Sequence, residues 1–522
     1  MNVHPIPFET TGTFSSFFLD YIRQKESLKP FYNQFPELKN FKKQIDLRQS
    51  HSAEHRKTLV HCISQQYTHL GKIDALVASN IQQLENPKTF TITTGHQLNI
   101  FTGPLYFIYK IVTVINTCKK LAEAYPDYNF VPVYWMASED HDYDEIKSFR
   151  LNGKTYTWKT DQQGAVGRFN TEGLKTLLAE IPGDNRIFRE AYTQNQKLSN
   201  AVRYYVNALF GEYGLVVVDG DDRQLKKLFA PVIADDLFNH TAKKAVDQTN
   251  AKLEEAGYKP QVFCREINFF YLDEGLRSRL EKSGDRYSVV DSTLSFTKTE
   301  IEKCIQDSPE KFSPNVCLRP LYQEIILPNL AYVGGPAEIV YWLQFKALFD
   351  FYKIPFPMLL PRNFALILNH VQQRKLLKTG LEMADMFMEK PALINHTVLK
   401  FATDKIQLNG EKEAIINHFN AIKNHAATLD KTLEPMVAAE TKRAIKSLEK
   451  IEQKLLRSEK RRQADRLRQV EELKDTLFPN GGLQERTDNF LNFYQTDPRF
   501  IHNLVQRFDP FDFRFNILIA HD

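Results

Sequence analysis

Apolar and polar positions alternate in several distinct ways along this chain, and each way predicts a different element. From 14 to 85 the pattern is polar and aromatic by turns and reads as helical up to Asn86-Pro87. Thr89-Phe-Thr-Ile-Thr-Thr94 then alternates with β-branched residues and predicts a strand. Beyond the loop Gly95-His-Gln-Leu-Asn-Ile-Phe-Thr-Gly-Pro104, the positions Leu105, Ile108, Val112, Ile115 and Ala122 keep helical spacing. They predict a helix from Leu105 to about Ala124, with Pro104 suited to its first turn. Val131-Pro-Val-Tyr-Trp-Met-Ala137 is a short continuous apolar run bounded by polar residues, the pattern of a buried strand. Strand, helix and strand in this order form a βαβ unit, and hence a parallel sheet with a right-handed crossover.

The same grammar recurs. Gly214-Leu-Val-Val-Val-Asp219 predicts a buried strand, followed by a helix from Leu225 to Leu237 that is expected to break or kink at Pro231. Leu330-Ala-Tyr-Val333 leads through Gly334-Gly-Pro-Ala-Glu338 into a helix from Ile339 to about Tyr352, and Pro355-Phe-Pro-Met-Leu-Leu-Pro-Arg362 closes the series. The less regular stretches 151–200 and 258–312 read as insertions, so residues 1–372 form one α/β core. Residues 373–478 are mostly helical. Between Pro435 and Phe478 there is no proline or glycine, and Val437, Ala444 and Ile451 recur every seven residues, as do Leu448 and Leu455. Register fails at Ser458 and Arg462 and resumes at Leu467, Val470 and Leu473, which predicts a coiled coil. The aromatic segment 479–522 is expected to fold back onto the core.

Composition narrows the class. A length of 522 residues suffices for two or three domains. The 68 basic and 64 acidic residues nearly cancel, so bulk charge does not point to nucleic acid. The basic run Arg457, Lys460, Arg461, Arg462, Arg466 and Arg468 is interleaved with acids and reads as a solvated helix face. No run approaches the roughly 20 apolar residues of a membrane span, and the start Met-Asn-Val-His-Pro-Ile-Pro shows no signal peptide. The five cysteines (Cys62, Cys118, Cys264, Cys304 and Cys317) are scattered, with no C-x-x-C pair. They fit a reducing compartment, without a zinc site or disulfide framework. A cytoplasmic protein is expected, with no membrane and no nucleic-acid partner.

The densest chemistry follows the second strand. Glu139-Asp-His-Asp-Tyr-Asp-Glu145 packs five acids and a histidine into seven residues, a repulsive cluster that needs a cation, an amine or protons beside it. Glu139 or Asp140 is a candidate general base, His141 with Asp142 a candidate acid–base pair, and two of the carboxylates candidate holders of Mg²⁺ beside a phosphate; Asp144 and Glu145 suit the start of a helix. Thr94, Gly95, His96 and Gln97, with Tyr106 and Lys110, form a strand–glycine loop–helix junction suited to an anion, although neither a dinucleotide fingerprint nor a P-loop is present. Arg319 is a candidate carboxylate clamp beside Gln323 and Glu324. Gly334 and Gly335 open a helix carrying Glu338, Tyr341 and Trp342, and Arg362 ends the last apolar stretch.

Taken together, Thr94-Gly-His-Gln97 with Phe101-Thr-Gly-Pro-Leu-Tyr106, Glu139-Asp-His-Asp142, Phe312-Ser-Pro-Asn315 with Arg319-Pro-Leu-Tyr-Gln-Glu324, Gly334-Gly-Pro-Ala-Glu338 with Tyr341-Trp342, and Phe478-Pro-Asn-Gly-Gly-Leu-Gln-Glu-Arg486 resemble the BshC proteins of bacillithiol biosynthesis, in the same order along nearly the whole chain. Many members carry Gln at the position of His96 and Gly at that of Ala337, which places His96 among the binding residues. The resemblance implies a Rossmann-like core with connecting insertions, a coiled coil that joins a homodimer, and a ligase that couples the carboxyl group of cysteine to the amine of glucosaminyl-malate. Such an amide needs an activated carboxyl, so ATP or another nucleotide is a plausible cosubstrate, with Mg²⁺ possible. On this reading Arg319, Arg362, Lys110 and the glycine-loop amides face the malate carboxylates, Glu139, Asp140 or the His141–Asp142 pair take the amine's proton, and Glu338 or Glu324 receives cysteine's ammonium. Two other readings use the same residues: a divalent-metal hydrolase or nucleotidyltransferase built on the acidic loop, and a dimeric coiled-coil scaffold.

Overall fold

The computed structural model describes residues 1–403 and 406–520. Its core is a parallel sheet of β1 (Thr89–His96), β2 (Asn129–Met136), β3 (Val216–Asp219), β4 (Asn329–Gly334) and β5 (Met358–Pro361). The spatial order is β5-β4-β1-β2-β3, with every neighbouring pair parallel. Each residue of β3, β4 and β5 is buried, because helices cover both faces of such a sheet. The four threonines of β1 are buried too, and β4 satisfies three of them. Thr91 and Thr93 donate to Asn329 Oδ1 at 3.1 and 2.8 Å, and Thr94 donates to the Val333 carbonyl at 2.8 Å.

Helix α1 (Tyr106–Ala124) carries the chain from β1 to β2, and β4 returns to the other side of β1. Strand order therefore reverses between β1 and β4. Connections there diverge, which leaves a crevice outside the carboxyl ends of the two strands. Helix α2 (Arg223–Asn239) follows β3 and runs unbroken through Pro231, where a break or kink was expected. Leu225 and Phe229 before the proline and Val232, Ile233 and Leu237 after it are all buried, so packing on both sides holds the helix across one missing N–H. Helix α3 (Arg319–Ile326) precedes β4, and α4 (Pro336–Trp342) follows it. The single helix expected from Ile339 to Tyr352 is instead α4, a 3₁₀ turn and a helix at Lys346–Phe351.

The two irregular stretches have their own structure. The first contains a hairpin, Ser148–Leu151 with Lys154–Thr157, and helices that end with Leu198–Phe210. The second folds as an antiparallel sheet ordered Ser295–Thr297, Arg286–Val289, Leu276–Ser283, Phe269–Asp273 and Phe312–Pro314. Beyond the core, α5 (Asn409–Leu429) and α6 (Glu434–Arg462) pack as a helical hairpin. Helix α6 ends at Arg462, where the heptad register fails, and α7 (Ala464–Leu477) buries Leu467, Val470 and Leu473 against helices His370–Thr379 and Lys390–Phe401. The last strand, Phe515–Ile519, lies between Asn2–Ile6 (antiparallel) and Phe364–Leu368 (parallel). Among the described residues no helix is long and apolar enough to cross a membrane.

Candidate active site

The crevice at the β1/β4 reversal is a cavity of about 580 Å³. The carboxyl end of β1 supplies Gly95, His96 and Gln97; that of β2 supplies Ala137, Glu139, Asp140 and His141; that of β4 supplies Gly335 and Glu338. Tyr106 and Lys110 reach it from α1, Arg319 from α3, Tyr341 from α4, and Arg362 from just beyond β5. His96 sits opposite Met136 in the β1–β2 register, so the glycine loop and the acidic loop leave the sheet side by side.

One wall of the cavity is cationic. Lys110, only 4% exposed, donates to the Gly95 carbonyl at 2.9 Å and pairs with Glu338 at 2.5 Å. The Glu338 carboxylate also accepts from the Tyr332 hydroxyl and the Gly335 N–H, each at 2.7 Å. Burial acts to raise its pKa, but Lys110 and these donors outweigh it and hold Glu338 ionised, below the usual glutamate value. Burial draws the Lys110 ammonium below the usual lysine range, with Arg362 and Arg319 acting in the same direction against Glu338. Arg319 donates to Gln323 Oε1 at 3.2 Å and lies over the rings of Tyr332 and Trp342 at 5.7 and 6.0 Å. A Cβ on Gly95 would stand 3.3 Å from both Arg319 Nη1 and the Tyr332 hydroxyl, so a side chain there would push one of them back by a few tenths of an ångström. Arg362 donates to Glu485 and to the Asn363 carbonyl, while its buried Nε has no hydrogen-bond partner among the described residues.

His96 is a donor rather than an acid–base group. Its Nδ1 accepts the Gln97 N–H at 2.8 Å, so the proton sits on Nε2, which is buried without a hydrogen-bond partner among the described residues. Burial and Lys110 push its pKa down to about 3, and its ring stacks on Tyr106 at 5.2 Å.

The opposite wall is acidic, and each carboxylate there is individually held. Glu139 pairs with Lys226, a fully buried residue of α2 whose ammonium also donates to the Phe312 carbonyl at 2.5 Å. Burial raises the pKa of Glu139, opposed by Lys226, and its second oxygen has no hydrogen-bond partner among the described residues. Asp140 accepts from the His141 N–H at 2.7 Å and from Gln97 Nε2 at 3.0 Å, and lies 3.5 Å from Arg277. Burial acts to raise its pKa, but Arg277, Gln97 and His141 bring it below the usual aspartate value. Arg277 also donates to His141 Nδ1 and rests on the Phe270 ring at 4.0 Å. Burial and Arg277 lower the His141 pKa and keep the ring neutral.

Several residues expected at the site stand elsewhere. Asp142 caps the short helix Tyr143–Ile146 through the Glu145 N–H, and the structure brings His141 to Asp140 and Arg277 rather than to Asp142. Thr94 clamps β1 to β4. Gln323 bridges Arg319 to Glu324, and Glu324 lies outside the cavity lining, paired with Arg48 at 3.1 Å and pushed up to about 7 by burial. Trp342 stacks on Tyr332 at 4.2 Å behind the cavity wall, and Gly334 ends β4. Among the described residues no three His, Cys, Asp or Glu side chains are grouped so as to hold a metal ion. Sequence reasoning missed Lys226, Phe270, Arg277, Tyr332 and Arg486; Arg486 alone had a signal, as the last residue of the Phe478–Arg486 motif.

Comparison with known proteins agrees with this architecture. Residues 1–363 match the model of the BshC N-terminal Rossmann-like domain of bacillithiol biosynthesis, and residues 365–520 match that of the BshC C-terminal coiled-coil domain. A protein of Flavobacterium psychrophilum named "Putative cysteine ligase BshC" is 43% identical over 98% of each chain. Proteins of the same name from Flavobacterium johnsoniae and Salinibacter ruber are 42% identical over 98% of this chain and 99% of the relative, and 28% identical over 94% and 93%. The resemblance drawn from the motifs is thus borne out over both domains, and the chain belongs to the BshC family of bacillithiol biosynthesis.

Proposed function

We propose that this protein is the ligase that joins the carboxyl group of cysteine to the sugar amine of glucosaminyl-malate, giving bacillithiol. The observation that carries this reading, beside family membership, is the polarity of the cavity: a cationic wall of Lys110, Arg319 and Arg362 faces an acidic wall of Glu139, Asp140 and His141 across about 580 Å³. An acceptor with a dicarboxylate at one end and an amine at the other matches that polarity. The cationic wall holds the malate end, with the His96 Nε2–H and Arg362 Nε as unclaimed donors. Glu139 takes the proton from the attacking amine. It is the one carboxylate of the cavity with both a raised pKa and an oxygen free of hydrogen bonds. Asp140, ionised and bonded on both oxygens, positions Gln97, Arg277 and His141. Cysteine enters as an activated acyl group whose activating group departs as the amide C–N bond forms, and a nucleotide is the cosubstrate this reading assigns to that activation.

The test is thiol profiling of cells with and without the gene. Loss of bacillithiol with accumulation of glucosaminyl-malate is expected; unchanged bacillithiol refutes the assignment. A homodimer through the coiled coil belongs to the same proposal. Ile416, Ile422, Met436, Ile451 and Leu455 leave an exposed apolar seam on the α5–α6 hairpin that a second copy would cover, and a monomer in sedimentation at micromolar concentration would contradict it.

A further inference from the structure

The charges of the cavity do not cancel. Five cations line it: Lys110, Arg277, Arg319, Arg362 and Arg486. Three are matched, Lys110 by Glu338, Arg277 by Asp140 and Arg362 by Glu485, while Glu139 is matched from outside the lining by Lys226. His96 and His141 are both neutral, their pKa values lowered chiefly by burial. Arg319 and Arg486 remain. Among the described residues neither has a carboxylate within 4 Å. Glu145, whose charge reaches Tyr106 as that of Arg486 does, stands outside the lining.

Arg486 is also well placed to act. The short helix Gln484–Thr487 that carries it is pinned to the core by two buried side chains. Glu485 accepts from Arg362 and, at 3.2 Å, from the Ala365 N–H; Gln484 accepts from the Ile367 N–H at 2.9 Å and donates to the Ile367 carbonyl at 3.1 Å. The backbone leading into Arg486 is thereby fixed while its own side chain stays exposed at the cavity. Two unmatched guanidiniums in one cavity call for a ligand with two negative charges, and a planar guanidinium binds carboxylate in bidentate fashion.

Resting on the acceptor proposed above, we propose that Arg486 is a specificity-determining residue that acts with Arg319: together they take the two carboxylates of the malate end, and Arg486 is what makes the enzyme select a dicarboxylate over a monocarboxylate. The C-terminal domain, on this view, supplies a substrate contact to the Rossmann-like domain.

The experiment compares wild type, Arg486→Met and Arg486→Lys in two assays. Calorimetric titration with L-malate and with L-lactate, which lacks the second carboxylate, probes recognition without catalysis. Ligation kinetics with glucosaminyl-malate and its glucosaminyl-lactate analogue probe turnover. Loss of one charge-assisted contact is expected to weaken malate binding and raise KM for glucosaminyl-malate by on the order of 10- to 100-fold, to leave the values for lactate and its glycoside unchanged, and to lower kcat little. Arg486→Lys should recover part of the loss, since it restores charge without the fork. Equal malate affinity in wild type and Arg486→Met, or a wild type that binds malate and lactate alike, overturns the proposal. Discrimination of malate that depends on Arg486 but is accompanied by no ligation of either acceptor would leave this inference standing and remove the proposed reaction.

Discussion

Replacing Lys110 with methionine tests the charge pairing on which the cavity depends. Methionine keeps most of the aliphatic stem and removes the ammonium, leaving Glu338 with the Tyr332 hydroxyl and the Gly335 N–H. Removing one partner of a buried ion pair costs about 3–5 kcal/mol. The lower end applies here, about 3 kcal/mol, because the Glu338 side chain is 24% exposed and keeps two donors. Lys110→Met/Glu338→Gln should recover much of that loss and give a coupling energy of about 2 kcal/mol. All three tryptophans (Trp135, Trp158 and Trp342) are buried within residues 1–363, so tryptophan fluorescence in urea follows the unfolding of this domain directly. The pH dependence has a definite sign. The carboxyl of Glu338 lies below its usual value near 4.5 in the folded protein, so the pair contributes stability above that pH and loses it as pH falls through the folded value. The gap between wild type and Lys110→Met is therefore full at pH 7 and narrows below about pH 4.5. A single variant as stable as wild type, or a double variant no more stable than Lys110→Met, refutes the pairing and with it the assignment of Arg319 and Arg486 as the unmatched charges.

Glu139→Gln should lower kcat by on the order of 10²–10⁴. Since burial raises Glu139 above 4.5, the wild-type rate should rise with pH along a limb lying above that value, and a limb that survives in Glu139→Gln would exclude this residue as the base. His96→Gln should leave the pH–rate profile unchanged near neutrality, because His96 is already neutral there with its pKa near 3. Between pH 6.5 and 3 the unfolded chain binds a proton that folded His96 refuses, so wild-type stability falls on acidification by up to about 1.4 kcal/mol per pH unit from this group. Urea midpoints for His96→Gln should fall less steeply across that range, and parallel slopes would contradict the buried neutral ring.

How much of this site the sequence discloses depends on whether a residue lies at a strand end or is brought in by a remote segment. Gly95, His96, Glu139 and Asp140 were legible because periodicity locates the ends of β1 and β2, and parallel strands place those ends together. Glu324 looked equivalent to Arg319 in the linear motif, but both stand on α3. Five residues turn a helix by roughly 140° beyond a full circle, which carries Glu324 away from the cavity to Arg48. Lys226 lay in an ordinary amphipathic stretch, and Arg277 in an insertion whose pairing follows no long-range rule that a single sequence displays. Ion pairing is a property of such contacts, so the net charge of a cavity cannot be summed along a chain. Here the sum is completed by the C-terminal domain, which delivers Glu485 to Arg362 and Arg486 to the cavity from one short helix. Residues 1–363 alone would lack both the Glu485 counter-ion of Arg362 and the Phe364 ring that its guanidinium lies over at 4.1 Å. Residues of both family domains therefore line the candidate cavity, and the Rossmann-like part does not complete that lining, or its charge pairing, by itself.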